Sequence, residues 1–166
     1  LQETFMKKIG LLLFSLLLFV SFTVAQNATY IGTKKCKMCH TKDGIYGVWE
    51  KSKHASAFKT LSGDESKKLA KGKNAAEDPS CIACHVTNKD TKATYDDGVG
   101  CEACHGPGSE HMKLIMKDKE KGKAALKAVK AGDAKLCEKC HNKQSPTFKG
   151  LDIKKDWEKI KHIRKS

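Results

Sequence analysis

Four pentapeptides in this chain are built to do one piece of chemistry. They read "CKMCH" (36–40), "CIACH" (81–85), "CEACH" (101–105) and "CEKCH" (137–141), and they use all eight cysteines. Paired cysteines alone would fit zinc sites or, in an exported chain, a disulfide framework. Neither chemistry needs a histidine directly after every second cysteine. With seven histidines in 166 residues, four such placements by chance are expected roughly three times in a million, whereas covalent c-type haem attachment requires that pentapeptide. On a helical turn, positions i, i+3 and i+4 share one face. Cys36 and Cys39, Cys81 and Cys84, Cys101 and Cys104, and Cys137 and Cys140 can each add their thiols to the two vinyl groups of one porphyrin. The histidine that follows then offers its imidazole to the iron. The cofactor expectation is four haem c groups, with His40, His85, His105 and His141 as proximal iron ligands.

Three histidines remain for the far side of four irons: His54, His111 and His162. Three sites can therefore have two histidines and one cannot. His54 lies in "YGVWEKSKHASAFKTL", where helical spacing puts it on a face with Ala57, Phe58 and Leu61. It either packs there or ligates, and a core made of haem favours ligation. His111 follows "GPG", which ends the helix of the third motif, and Ser109 is the expected N-cap of the next helix. Six residues are too few to carry the chain around a porphyrin edge, so His111 points to a neighbouring haem rather than its own. In "LDIKKDWEKIKHIRKS" the apolar stripe is Ile153, Trp157 and Ile160, and continued helical periodicity turns His162 away from it. Ligand and solvated surface are both open for that residue. Met112 and Met116, on the apolar side of the helix after Ser109, are further candidates for an otherwise open iron; so is no protein ligand at all.

The elements that must position these groups are short and helical. "EDPSC" supplies Asp78 as an N-cap and Pro79 at the first helical position, starting the second motif. Two lysine-rich spacers, 63–80 and 117–135, separate the motifs, and the second is expected to be helical through "AALKAVKA" and to stop at Gly132. Apart from the motifs there is no repeat. The fold class expected is mostly α with a haem-packed core and little or no sheet. A segment this rich in Lys, Gly and Ala buries too little apolar surface of its own to offset its conformational entropy.

Residues 6–26 read "MKKIGLLLFSLLLFVSFTVAQ", in which two lysines precede an apolar run of 14 residues from Ile9 to Phe22. That is shorter than the roughly 20 residues of a membrane span and carries the flanks of a secretory signal peptide. The expectation is a signal peptide over 1–25, cleaved near Ala25, with residues 1–5 upstream of the true start at Met6, and a tetrahaem domain over 26–166 in the periplasm. The full chain has 32 Lys and Arg against 19 Asp and Glu, a net charge of +13. Eight haem propionates and the iron charges would bring the exported part to about +8 oxidised and +4 reduced. The surplus favours acidic redox partners or an anionic membrane surface. Nothing in the sequence reads bases, and export argues against nucleic acid as the partner.

With these residues in hand, the chain resembles the tetrahaem cytochrome c-554 family, electron carriers associated with hydroxylamine oxidoreductase in ammonia oxidisers. The resemblance rests on "KKCKMCH" followed by "VWEKSKHASAF", on "CIACHV", on "GVGCEACHGPGSEH" and on "LCEKCHN", and it covers nearly all of the exported chain. It implies that His111 serves the first haem, His162 the third and His54 the fourth, leaving the second haem, on His85, with an open iron. It also implies haems stacked in pairs and electron transfer between periplasmic proteins, with a hydroxylamine oxidoreductase-like donor or another cytochrome as partner. Two alternatives accompany that function: reduction of a small nitrogen oxide of the nitric oxide type at the second haem, and a subunit of an extracellular cytochrome filament. The oligomeric state is not legible.

Overall fold

The computed structural model describes residues 28–130 and 132–163. The apolar run and the cleavage region near Ala25 lie outside the described residues. Among the described residues the chain is helix, 3-10 turn and loop, with no strand. We number the helices α1 (Thr33–His40), α2 (Ile45–Glu50), α3 (Asp64–Leu69), α4 (Pro79–His85), α5 (Cys101–His105), α6 (Ser109–Ile115), α7 (Lys119–Ala124), α8 (Ala134–Cys137) and α9 (Ile153–Ile160). Phe58–Ser62 and Lys92–Asp97 form 3-10 helices. No helix among the described residues is long and apolar enough to cross a membrane.

The helices are brief because the motifs punctuate them. α1, α4 and α5 each end on the motif histidine. In the fourth motif α8 ends at Cys137, yet the His141 amide still donates to the Cys137 carbonyl at 2.9 Å, so one helical turn spans that pentapeptide too. α4 starts as its sequence dictates. Asp78 accepts from the Ser80 amide at 2.8 Å and Pro79 takes the first helical position, where its missing N–H costs nothing.

The protein's own apolar core is small. Leu61, Ala75, Ile82 and Val86 are buried together, flanked by Phe58 and Tyr95, whose rings meet edge to face at 5.2 Å. Three aliphatic side chains and one alanine make a small core for a chain of 166 residues.

Three local expectations are corrected. Within "AALKAVKA" the described residues 125–130 are not helical: α7 ends at Ala124, and Lys127 is drawn out to pair with the backbone of His105, donating from its amide at 3.0 Å. Ser109 is the first residue of α6 and not its cap; its hydroxyl accepts from the Thr29 amide at 2.8 Å instead. The segment after α2 is a run of turns and a 3-10 helix, so the α-helical face drawn through His54, Ala57 and Leu61 does not exist.

Candidate haem-binding site

The first and third motifs are held together by two carboxylates, one buried and one half-buried. Glu102, inside the third motif, is only 5% exposed. Its oxygens accept from the amides of Ile31 (3.0 Å), Gly32 (2.8 Å) and Gly108 (2.7 Å). Asp97 accepts from the Thr33 amide at 2.8 Å, satisfying the first N–H of α1. The start of α1, the third motif and the "GPG" loop are thus tied to one another. Sequence reasoning missed Glu102 and Asp97; the only signal was a charged residue between two haem cysteines.

Gly98 explains the "GVG" that precedes the third motif. Its φ is +60°, and a Cβ there would lie 2.5 Å from the His54 carbonyl oxygen, which accepts from the Val99 amide at 3.0 Å. Only glycine combines that backbone with that approach. The segment bearing His54 is therefore laid directly on the third motif. Trp49 reinforces the contact, its indole N–H donating to the Val99 carbonyl at 2.9 Å. Gly122 does the same for α7, where a Cβ would lie 2.5 Å from the Ile115 Cα. That closeness brings the Gly122 carbonyl within 2.7 Å of His111 Nδ1.

The seven histidines fall into three facing pairs and one remainder. His40 faces His111 with ring centroids 6.2 Å apart, His54 faces His141 at 5.9 Å, and His105 faces His162 at 5.8 Å. Two metal–imidazole bonds of about 2 Å, each from a nitrogen about 1 Å from its ring centre, set facing centroids roughly 6 Å apart. The spacing is what an iron between each pair requires. His85 is the histidine left outside these pairs.

The ring nitrogens are assigned by their partners. Nδ1 of His40 donates to Asp43 (2.8 Å), that of His85 to the Ala57 carbonyl (2.7 Å), and that of His105 to the Lys127 carbonyl (2.8 Å). Nδ1 of His111 and of His162 likewise donate to carbonyls, Gly122 and Ile160. Each bond fixes the tautomer and leaves Nε2 free to coordinate a metal. Burial holds His54 and His105 below the ordinary imidazole value, and the facing His141 ring lowers His54 further. Both are therefore neutral near pH 7, the form that ligates.

His162 is where periodicity misleads. α9 ends at Ile160, and Lys161 turns extended, with ψ near 139°. The residue two places beyond the helix no longer obeys the helical wheel, and its ring swings round to His105. The stripe Ile153, Trp157, Ile160 does lie on α9.

None of the eight cysteines is paired in a disulfide, and cysteines of different motifs lie near one another. A hydrogen bond between Cys36 and Cys101 raises the first thiol and lowers the second. Burial pushes Cys140 up to about 12, with the adjacent Cys84 adding to it. Burial, and next the charge of Cys137, raise Cys104. The motifs therefore form a row in the order first, third, fourth, second.

Among the described residues no three His, Cys, Asp or Glu side chains converge to hold a bare metal ion, which a four-ligand zinc site would require. Instead, a cavity of about 440 Å³ is lined by Cys36, His40, Cys101, His105, His111 and His162 among others. Two motifs and both of their facing histidines open onto one apolar space. This donor set and this cavity fit a covalently attached porphyrin. Met112 and Met116 line the same cavity, on the side of the first and third motifs and not beside His85.

Comparison with known proteins agrees with this geometry. The family described as "Cytochrome c554 and c-prime" matches residues 35–106. Cytochrome c-554 of Nitrosomonas europaea is 31% identical over 153 residues, covering 77% of this chain and 64% of the relative. The chain thus spans under two thirds of that relative's length. The reduced-state structure of cytochrome c554 from Nitrosomonas europaea superposes with a TM-score of 0.50 at 27% identity, covering 75% of this chain and 71% of that one.

Proposed function

The chain belongs to the cytochrome c-554 family, and from that premise we propose that it is a periplasmic electron carrier with four covalently bound c-type haems. Bound at the motifs, haem c supplies a one-electron couple at each site. The protein's part is to fix the sites and their order. Cys36 and Cys39, Cys81 and Cys84, Cys101 and Cys104, and Cys137 and Cys140 anchor; His40, His85, His105 and His141 ligate from the proximal side. His111, His162 and His54 complete the first, third and fourth sites. The observation that carries this reading is the set of three imidazole pairs at 5.8–6.2 Å. Aromatic rings also pack at such spacings, but packing alone gives no reason for one histidine to stand opposite each of three motif histidines, which is what low-spin, two-histidine ligation demands. Neutral two-histidine ligation lacks the potential-raising effect of methionine, which suits these sites to low potentials. The row of motifs gives a way in at one end and out at the other.

The partner is an acidic redox protein of the same compartment, a hydroxylamine oxidoreductase-like donor or another cytochrome, drawn by the lysine surplus. A second reading, reduction of a small nitrogen oxide at the second site, is favoured by one observation only: His85 stands outside the three histidine pairs. Mass spectrometry of the holoprotein should give the chain plus four haem units, none extractable by acid acetone. Electron paramagnetic resonance of the oxidised protein should count three low-spin haems and one different. Fewer than four attached haems, or four low-spin centres, would overturn the assignment of the sites. A methionine-to-iron charge-transfer band would replace the open second site with a ligated one, and with it remove the enzymatic reading.

A further inference from the structure

The first site differs from the second and third in the group behind its proximal histidine. Nδ1 of His85 and of His105 donate to neutral backbone carbonyls, as do those of the facing residues His111 and His162. Of these five hydrogen-bonded rings, His40 alone donates to a charged acceptor, the Asp43 carboxylate, at 2.8 Å. Asp43 is buried, 9% exposed, and its other oxygen accepts from the Ile45 amide at 3.2 Å, which fixes it at the start of α2. The left-handed Gly44 (φ 78°) makes the turn that returns it to His40. The sequence carries the same distinction. The residue three places after the motif histidine is Asp43 in the first motif, but Asn88, Gly108 and Gln144 in the others.

We propose that Asp43 sets the reduction potential of the first site, acting through His40. A carboxylate on Nδ1–H pulls that proton toward itself and makes Nε2 a stronger donor. The iron carries one more positive charge when oxidised, and a stronger, more anionic ligand favours that form. Little water surrounds the pair to weaken the effect, since a charge-assisted bond is stronger where water is scarce. The first site stands at one end of the row of motifs, so Asp43 makes that end the harder one to reduce than a carbonyl acceptor would. Asp43 is a positioning residue: it touches the ligand and not the iron.

This inference rests on the haem reading above, and its test separates the two. Asp43→Asn keeps an oxygen for the Ile45 amide while removing the charge. In the holoprotein, a redox titration followed by electron paramagnetic resonance should show one haem whose ferric-to-ferrous ratio at fixed potential falls tenfold or more. That is a rise of about 59 mV for a one-electron couple. The haem that moves should be the one whose low-spin signal His111→Ala abolishes, and the other three should stay in place. Asp43→Glu should recover part of the shift. Four attached haems with all potentials unmoved would overturn the inference and leave the function standing, whereas missing haems would overturn the function itself. In the unaltered protein, the nitrogen resonance of His40 Nδ1 should lie nearer the imidazolate position than those of His85 and His105. Equal positions would also overturn it, whether or not the variants mature.

Discussion

Replacing Glu102 tests whether a carboxylate, rather than the haems alone, holds the first and third motifs in register. Its two oxygens serve the amides of Ile31, Gly32 and Gly108, two of these contacts being fully buried. Glu102→Ala leaves those donors without an acceptor. A buried donor stranded in this way costs about 1–3 kcal/mol, and hydrogen bonds to a charged group lie at the upper end of what such bonds contribute. Counting the two buried amides fully and the part-exposed Ile31 amide as rehydrated gives a loss of about 2–6 kcal/mol. Domains of this size are stable by about 5–15 kcal/mol, so the loss is a large fraction of the whole. Glu102→Gln keeps one acceptor oxygen but turns an amino group toward an amide N–H, and should fall between. The assay is denaturant unfolding of the holoprotein followed by circular dichroism, with the haem count and the low-spin signals recorded on the same samples. The His40–His111 and His105–His162 sites should be disturbed, and the His54–His141 site spared, because Glu102 touches nothing there. A midpoint unchanged to within about 0.5 kcal/mol would refute the reasoning, since that is the range of ordinary surface substitutions. So would disturbance of the fourth site alone.

His54→Ala and His162→Ala should each turn one low-spin haem high-spin in the oxidised protein without loss of haem. An unchanged low-spin count in either variant would make that histidine a packing residue. The Asp78 carboxyl is held below its ordinary value chiefly by its hydrogen bonds with Ser80. Its folded-state value lies below the unfolded one, so its contribution is complete above the unfolded value of about 4 and lost as the pH falls through the lower folded one. Denaturation midpoints of wild type and Asp78→Asn should therefore differ at pH 6 and converge by about pH 2. A difference that does not depend on pH would show that the cap acts without its charge.

The motif chemistry was legible because covalent attachment needs five residues in fixed order, and that order is local. The start of α4 was legible for the same reason: Asp78 and Pro79 act within one turn. The facing histidines were legible only as a subtraction, three for four, and their pairing came from the family pattern. Pairing is a long-range property. His40 and His111 are brought together through Gly122 and α7, and His54 is laid down by Gly98, none of which follows from periodicity. His162 was obscured because a helical wheel was extended past the point where the helix stops. "AALKAVKA" went wrong in the opposite sense: its alanines favour helix, but the His105 ring and backbone take both hydrogen-bonding groups of Lys127. Tertiary hydrogen bonds overrode propensity there.

The polar residues that escaped notice share a reason that bears on how such a chain folds. Glu102 lies inside a motif and Asp97 and Asp43 beside one, and in a sequence this rich in lysine a carboxylate reads as surface charge. In the fold they do the opposite work. Glu102 and Asp97 collect the amides that begin α1, and Asp43 holds the ring of His40. The apolar core that the chain builds unaided, around Leu61, Ala75, Ile82 and Val86, lies beside the second motif. Among the described residues the first and third motifs have no comparable cluster of buried aliphatic side chains, and instead line a shared cavity with buried carboxylates behind it. The two halves of the row are thus stabilised by different means. Around the second motif, side chains pack on side chains; around the first and third, backbone amides are pinned by charge, and the packing surface is the cofactor itself. Carboxylates suit that second task because they tie chain segments together without occupying the apolar space that a macrocycle must fill.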